Sequence, residues 1–379
     1  MSSPAAEPPG PPDRPGPPDP PGPPAPPIRT VLTDRLGIRY PIVQAAMGYV
    51  AGARLATAVS AAGGLGLIAS ATMSPEELLF CIKRVKDRTP APFGVNVRAD
   101  ATDAGERIEM IIEERVPVAS FALAPKPDLI ARLKDAGVFT IASVGARRHA
   151  EKVAAWGIDA VIATGGEGGG HTGSVPTSLL IPQVVDAVDV PVIAAGGYFD
   201  GRGLVAALGY GAAGIAMGTR FLLTADSPVA DAVKAIYLAA DVTGTVVTTK
   251  VDGVPHRVLR TELTDRLDRA GRLAGLTRSV RAANAFRSMS GLRWGQLISQ
   301  GRAMRREAGL SWAQVLMAAN TPTLLKAAMV DGRPDLGLMS SGQVAGVISD
   351  LPSCEDLIQA IMVQASQRLT DLTTPYDRP

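Results

Sequence analysis

The sequence predicts an α/β fold, a (β/α)8 TIM barrel followed by a mostly helical C-terminal extension, and three observations carry that prediction. Eight short β-like runs follow one another between residues 41 and 219. Their starts lie 21 to 31 residues apart, room for a strand, two loops and a crossover helix, as a right-handed βαβ unit requires. The residues with unusual chemistry cluster just after these runs, where barrels of this kind place their working groups.

In chain order, residues 1–27 come first, with 14 prolines and no apolar run, which predicts a disordered or polyproline-II tail. The tail has neither the basic head nor the apolar stretch of a secretory signal, so a cytoplasmic protein is expected. The runs are PIVQAAM (41–47), GLGLIAS (64–70), FGVNVR (93–98), VASFALA (118–124), FTIASV (139–144), AVIATG (160–165), PVIAAGG (191–197) and GIAMGT (214–219). Several are apolar on both faces, as strands are when one face lines a barrel and the other meets helices. Helix candidates lie between them at 74–88, 103–114, 127–136 and 146–156. The first opens with Ser-Pro-Glu-Glu: an N-cap, a Pro at the first position and acid in the first turn. An open doubly wound sheet is the alternative on pattern alone. The barrel is placed at 28–226 and the extension, packed on it, at 227–379.

The longest uncharged stretch of interest, 203–219, is too short to span a bilayer. Within the extension, residues 257–306 hold twelve Arg against Glu262, Asp265 and Asp268, a surplus of nine positive charges in a chain of net charge +2. Such a block is usually a solvated face, but beside a cleft it concentrates anionic substrates. It lacks the interleaved aromatics and motifs of a nucleic-acid binder. Cys81 and Cys354 show no CxxC spacing, which favours packing over a disulfide or a metal. With only His149, His171 and His256 in the chain, no His-rich run offers a metal centre, and no metal is expected.

After the sixth run comes GGEGGGHTG (165–173), six glycines around Glu167 and His171. Such a loop brings backbone close to a flat ligand and turns N–H groups toward its oxygens. A flexible linker is the bland reading, yet a linker does not sit between two barrel strands. His149 and His256 lie outside the strand-end loops, which singles out His171. AGG (195–197) after the seventh run and MGTR (217–220) after the eighth match the usual phosphate site of barrels, with Thr219 as a hydroxyl donor. GYGAAG (209–214) fits GxGxxG in letters only, since it precedes a strand instead of following one. Neither a P-loop nor a GxSxG elbow occurs.

Read in order, AAMG (45–48), Asn96 in FGVN, the GGEGGGHTG loop, AAGG (194–197), MGTRF (217–221) and Ser341-Gly342-Gln343 resemble the nitronate monooxygenase (2-nitropropane dioxygenase) family. The resemblance covers residues 31–365, and the flavin-dependent enoyl reductases of fatty-acid synthesis share the layout. It implies FMN as cofactor. Ala46, Met47 and Gly48 would meet the reactive edge of the ring through their backbone, and Asn96 would hydrogen-bond the ring. Glu167, Gly168 and Gly170 would lie beside the ribityl chain, while Gly196, Gly197, Gly218 and Thr219 would hold the phosphate. Ser341, Gly342 and Gln343 would reach in from the extension, which would cover the substrate site. His171 matches the catalytic base.

The segments 246–262 and 311–321 look closer to an actinobacterial subgroup implicated in breakdown of the last steroid rings, whose members act on bulky coenzyme A thioesters. The Arg surplus agrees, because Arg clamps phosphates bidentately. The expected reaction is oxidation or reduction of a carbon–carbon bond next to a carbonyl in a steroid-derived acyl-CoA. His171 would move a proton near neutral pH, flavin would supply the redox step, and glycine-loop N–H groups would steady an enolate-like oxygen. Nitronate oxidation with O2 and NAD(P)H-dependent enoyl thioester reduction are the alternatives. A small-molecule substrate is expected, with no nucleic-acid or membrane partner, and a homo-oligomer is left open.

Overall fold

The computed structural model describes residues 25–123, 125–269 and 320–374. All eight runs become parallel strands: β1 (Ile42–Gln44), β2 (Gly66–Ala69), β3 (Phe93–Arg98), β4 (Val118–Ala122), β5 (Phe139–Val144), β6 (Ala160–Thr164), β8 (Val192–Ala195) and β9 (Gly214–Met217). A two-residue strand, β7 (Gly170–His171), interrupts the series after β6. The ladder runs β1-β9-β8-β6-β5-β4-β3-β2. Leu65 N donates to Ile42 O and Gln44 N to Leu65 O, both at 2.9 Å, and this pairing closes the ring between β1 and β2.

Alternation along the strands splits the apolar residues into two packed layers. Val43, Leu67, Ile141, Ile162, Ile193 and Ala216 fill one cluster with Leu32 and Leu36 from the helix Val31–Leu36. Their neighbours Ile42, Ile68, Ala142, Val161, Ala194 and Ile215 belong to the other cluster, with the surrounding helices. The first set is the barrel interior, and the N-terminal helix stoppers its base, tied there by Thr30 Oγ1 donating to Ala213 O at 2.7 Å. Each fully buried Leu or Ile contributes about 1.5–3 kcal/mol of transfer free energy, so this double layer dominates the fold's stability. The helices Pro75–Lys86, Ala104–Glu113, Pro127–Asp135 and Arg147–Ala155 fall in the expected intervals. Ser74 caps the first reciprocally with Glu77, as Ser-Pro-Glu-Glu predicts.

Two expectations need adjusting. Ala25, inside the segment read as a free tail, is buried: its N–H donates to Gln359 Oε1 at 2.8 Å, and its carbonyl accepts from Tyr40 Oη at 3.1 Å. The extension, mostly helical as expected, also carries a small sheet that the sequence reading did not place. It contributes β10 (Thr245–Thr248) and β11 (His256–Leu259), which form a three-stranded antiparallel sheet with β7 in the order β10-β11-β7. Four-residue strands joined by a seven-residue loop give too short an alternation to stand out from helical neighbours. The helix Cys354–Thr373 packs on the outside of the barrel against Gly201–Gly209, where a Cβ on Gly201 would meet Ile361 O at 2.4 Å. Among the described residues of the extension, the β10–β11 hairpin, the start of Asn320–Met329 and residues 340–343 approach the sixth-strand loop. Residues 270–306 of the Arg-rich stretch lie outside the described residues. Among the described residues, no helix is long and apolar enough to cross a membrane.

Candidate active site

The site is built at the C-terminal ends of the strands. Gln44, fully buried at the end of β1, accepts from Leu67 N through Oε1 at 3.1 Å and donates to Ala45 O, which pins the Ala46-Met47-Gly48 turn. Met47 O accepts from Val50 N and Ala51 N, and Tyr49 takes a left-handed φ of 64°, a conformation a non-glycine residue holds only when its surroundings impose it. Asn96, buried at the mouth of β3, donates to Ser120 Oγ at 3.1 Å.

The sixth-strand loop is braced from three sides. Glu167 receives Thr177 N at 2.9 Å and Thr177 Oγ1 at 2.6 Å, so its carboxylate anchors the next helix, and its role is fixed by that contact. Arg257 donates through Nε and Nη2 to Gly166 O, at 3.2 and 2.9 Å, and through Nη1 to Thr245 Oγ1. Its guanidinium thus holds the loop and is not free to clamp a substrate, unlike the role read for the Arg-rich stretch. The third brace is Ser341-Gly342-Gln343. Gln343 N donates to Glu167 O and Gly342 N to Thr219 Oγ1, each at 3.0 Å. A Cβ on Gly169 would come within 2.5 Å of Gly342 N, so backbone lies directly on backbone there.

Facing this brace, Gly196 and Gly197 have φ of 102° and 80°, which side-chain-bearing residues rarely adopt. A Cβ on Gly197 would meet only Glu167 Cβ within 4 Å, at 3.8 Å, and one on Gly218 would come no closer than 3.6 Å to Met47 Sδ. Side chains there would fill open space at the mouth. Among the described residues the amides of Gly196, Gly197, Gly218 and Thr219 make no backbone hydrogen bond. A cluster of outward donors around an open cradle fits an anionic group such as a cofactor phosphate. Gly168 and Gly170 lie on the same loop, Gly170 at φ 74° with no atom within 4 Å of a would-be Cβ.

His171 closes the loop, and here the structure adds what the sequence reading missed. In the β11–β7 pairing His171 stands opposite His256, with ring centroids 4.7 Å apart. His171 Nε2 lies 2.8 Å from Asp252 Oδ2, and the same oxygen accepts from Thr321 Oγ1 at 2.7 Å. Val254 N donates to the other oxygen at 3.1 Å. Burial works against ionisation of Asp252, but hydrogen bonds from His171 and Thr321, with the imidazoles beside it, outweigh that and hold the carboxyl far below the usual carboxylate range. His256 Nδ1, at 3.9 Å from Asp252 Oδ2, is too distant for a hydrogen bond and contributes only through proximity. An ionised Asp252 can only accept, which assigns the proton to His171 Nε2 and leaves Nδ1 with a free lone pair. The His171 side chain is 52% exposed and Asp252 7%: a reachable imidazole backed by a buried anion.

His256 was set aside as lying outside the strand-end loops, and it instead sits beside His171. Likewise, no run of histidines exists along the chain, yet the fold gathers His171, Asp252 and His256, with ligand-type atoms all within 4.8 Å of one another. The available signal was local: Asp252-Gly253 lies between TVVT and HRVL, a hairpin mark whose long loop carries the acid. Thr177 and Thr321 carried no signal at all.

Comparisons with known proteins agree with this geometry. The nitronate monooxygenase family model matches residues 29–109 and 103–364. A "(3aS,4S,5R,7aS)-5-hydroxy-7a-methyl-1-oxo-octahydro-1H-indene-4-carboxyl-CoA dehydrogenase" of Mycobacterium tuberculosis is 60% identical over 90% of this chain and 97% of its own length. A protein of the same name from Rhodococcus jostii is 55% identical over 91% of this chain and 98% of its own. Among solved structures, FabK from Thermotoga maritima superposes with a TM-score of 0.73 at 34% identity, over 91% of this chain and 98% of that one. With a braced glycine loop, a cradle at the seventh and eighth barrel strands and a family model spanning nearly the whole described fold, the chain belongs to the nitronate monooxygenase family of flavin-dependent oxidoreductases.

Proposed function

We propose that the protein is an FMN-dependent dehydrogenase of a fused-ring acyl-CoA, acting on the carbon–carbon bond next to the thioester carbonyl. The single observation that carries the chemistry is the half-exposed His171 held through Nε2 by buried Asp252 at the mouth of the barrel. The substrate class follows the two relatives named as indene-carboxyl-CoA dehydrogenases, which match almost end to end.

A hydrogen on the carbon beside a thioester carbonyl is acidic enough for an imidazole to remove when the developing enolate oxygen is stabilised. His171 Nδ1 takes that proton, and Asp252 keeps the ring oriented and steadies its cationic form. Gly165 N, Gly166 N and Gly168 N are engaged within the fold, so the remaining backbone N–H groups of the 165–170 loop would serve the oxygen. When bound, the flavin supplies the two-electron acceptor for the hydrogen leaving the neighbouring carbon. One phosphate cradle, at Gly196, Gly197, Gly218 and Thr219, and no adenine fingerprint favour FMN over FAD. Ala46, Met47, Gly48 and Asn96 would face the ring, with Glu167, Gly168, Gly170, Gly342 and Gln343 along the chain to the phosphate. Of the described arginines in the basic stretch, Arg260 is exposed and available to a coenzyme A phosphate, whereas Arg257 is committed to Gly166.

The test is direct. Denatured protein releases FMN, identified by mass, and the anaerobic holoenzyme is bleached by the hydroxy-indene-carboxyl-CoA thioester. Bleaching by an alkyl nitronate and not by the thioester transfers the reading to nitronate oxidation, and bleaching by NADH alone to enoyl reduction. A colourless protein that FMN cannot reconstitute overturns it.

A further inference from the structure

His256 has no part in the proposed reaction, yet it is among the most buried polar side chains of the mouth, at 2% exposure. Its Nε2 lies 2.8 Å from Ser340 Oγ, which fixes the ring. Its Nδ1 is buried, has no hydrogen-bond partner among the described residues and stands 3.9 Å from Asp252 Oδ2. A buried ring nitrogen without a partner is destabilising whichever tautomer the ring holds. The group it faces is the Asp252 carboxylate, too far away at 3.9 Å for a hydrogen bond, and a cation seated between the two would partner both.

We propose that His171, Asp252 and His256 form a binding site for a borderline divalent cation, with Zn2+ as the reference ion. The donor set is two imidazoles and one carboxylate, the combination that suits Zn2+ and its neighbours and not the hard, oxygen-seeking Mg2+ or Ca2+. Ser340 holding the far nitrogen of His256, and Thr321 and Val254 N holding Asp252, are the outer contacts that orient metal ligands. Three protein donors leave a fourth position on the side of the exposed His171, open to water. The ion takes His171 through Nε2, so the ring proton must reside on Nδ1. That is the atom the proposed reaction uses, and the metal-bound protein therefore has no base. This last step rests on the base assignment above; the site itself does not.

The experiment measures Zn2+ binding to the flavin-loaded full chain by calorimetry and by metal content after dialysis, with no substrate present. One Zn2+ per chain is expected, removable by chelator, with stoichiometric binding lost in His256→Ala. Ser340→Ala, which leaves all three ligands in place, should weaken binding about 10–100-fold. A wild-type protein that holds no Zn2+, or His256→Ala and Ser340→Ala proteins that bind it as the wild type does, overturns the proposal. If His256→Ala does not fold, the Ser340→Ala measurement decides alone. Failure of the base reading shows elsewhere, as an unaltered flavin reduction rate in His171→Ala, so the two are told apart.

Discussion

The barrel and the layer over its mouth are held together by different physics. The barrel is assembled from repeated local units, each strand burying one face inside and one against helices, with Ile42, Ile68, Ile141 and Ile193 fully excluded from water. The overlying layer is made of four-residue strands and single backbone contacts, such as Gly342 N to Thr219 Oγ1 and Arg257 to Gly166 O. Among the described residues its own apolar cluster is Val251, Val258, Leu267 and Leu338, with a few partly buried neighbours. One region carries stability and the other positions chemistry, so mutations in the two should separate into distinct phenotypes.

The sharpest separation is expected at His171. His171→Ala should leave the melting temperature and flavin content near wild type while flavin reduction by the thioester slows about 10²–10⁴-fold, the usual worth of a general base. Asp252→Asn should lower the same rate by a smaller factor, because it preserves the ring's neighbour but removes its charge. Equal losses of rate and stability in His171→Ala would break the comparison. The converse variant is Ile141→Ala in the barrel interior, expected to cost about 2–5 kcal/mol in chemical denaturation, with flavin lost only as the protein unfolds. Gly169→Ala tests the seam between the regions. Its Cβ meets Gly342 N at 2.5 Å, so about 1–3 kcal/mol of overpacking is expected, accompanied by weaker flavin retention.

Smaller effects sharpen the boundaries. Burial pushes the Cys354 thiol up to about 12. Its contribution to stability is therefore complete below the thiol's unfolded range near 8.5 and fades as pH rises from there toward 12, since only the unfolded chain ionises in that window. Native protein should resist alkylation at Cys354 at pH 8, and the alkaline fall in melting temperature should be shallower in Cys354→Ala. Smallest of all, deletion of residues 2–24 should shift stability by less than about 0.5 kcal/mol. Extending the deletion through Ala25 should cost measurably more, because Gln359 and Tyr40 both lose its backbone.

The same division explains what the sequence revealed. The eight barrel strands, β1 to β6 with β8 and β9, were legible because strand and helix periods repeat within about thirty residues, and Ser74-Pro75-Glu76-Glu77 announces its cap locally. His171 was legible because three glycines precede it. Asp252, Thr321 and His256 were not, because their meaning arises only when a hairpin 81 residues from His171 folds across it. Glu167 was legible in place but not in contact: only the fold shows that its carboxylate accepts from Thr177, ten positions on.

The contact between Gly342 and Thr219 spans 123 positions of the chain. A ribosome adding roughly 5–20 residues per second needs about 6–25 s to travel that distance. During this interval all eight barrel strands have been made, yet the glycine loop lacks the strap that presses on it from Ser341 to Gln343. A chain terminated before residue 341 would contain every barrel strand and still lack the strap on its glycine loop. Loss of flavin without loss of the folded barrel is therefore the signature expected of a weakened strap.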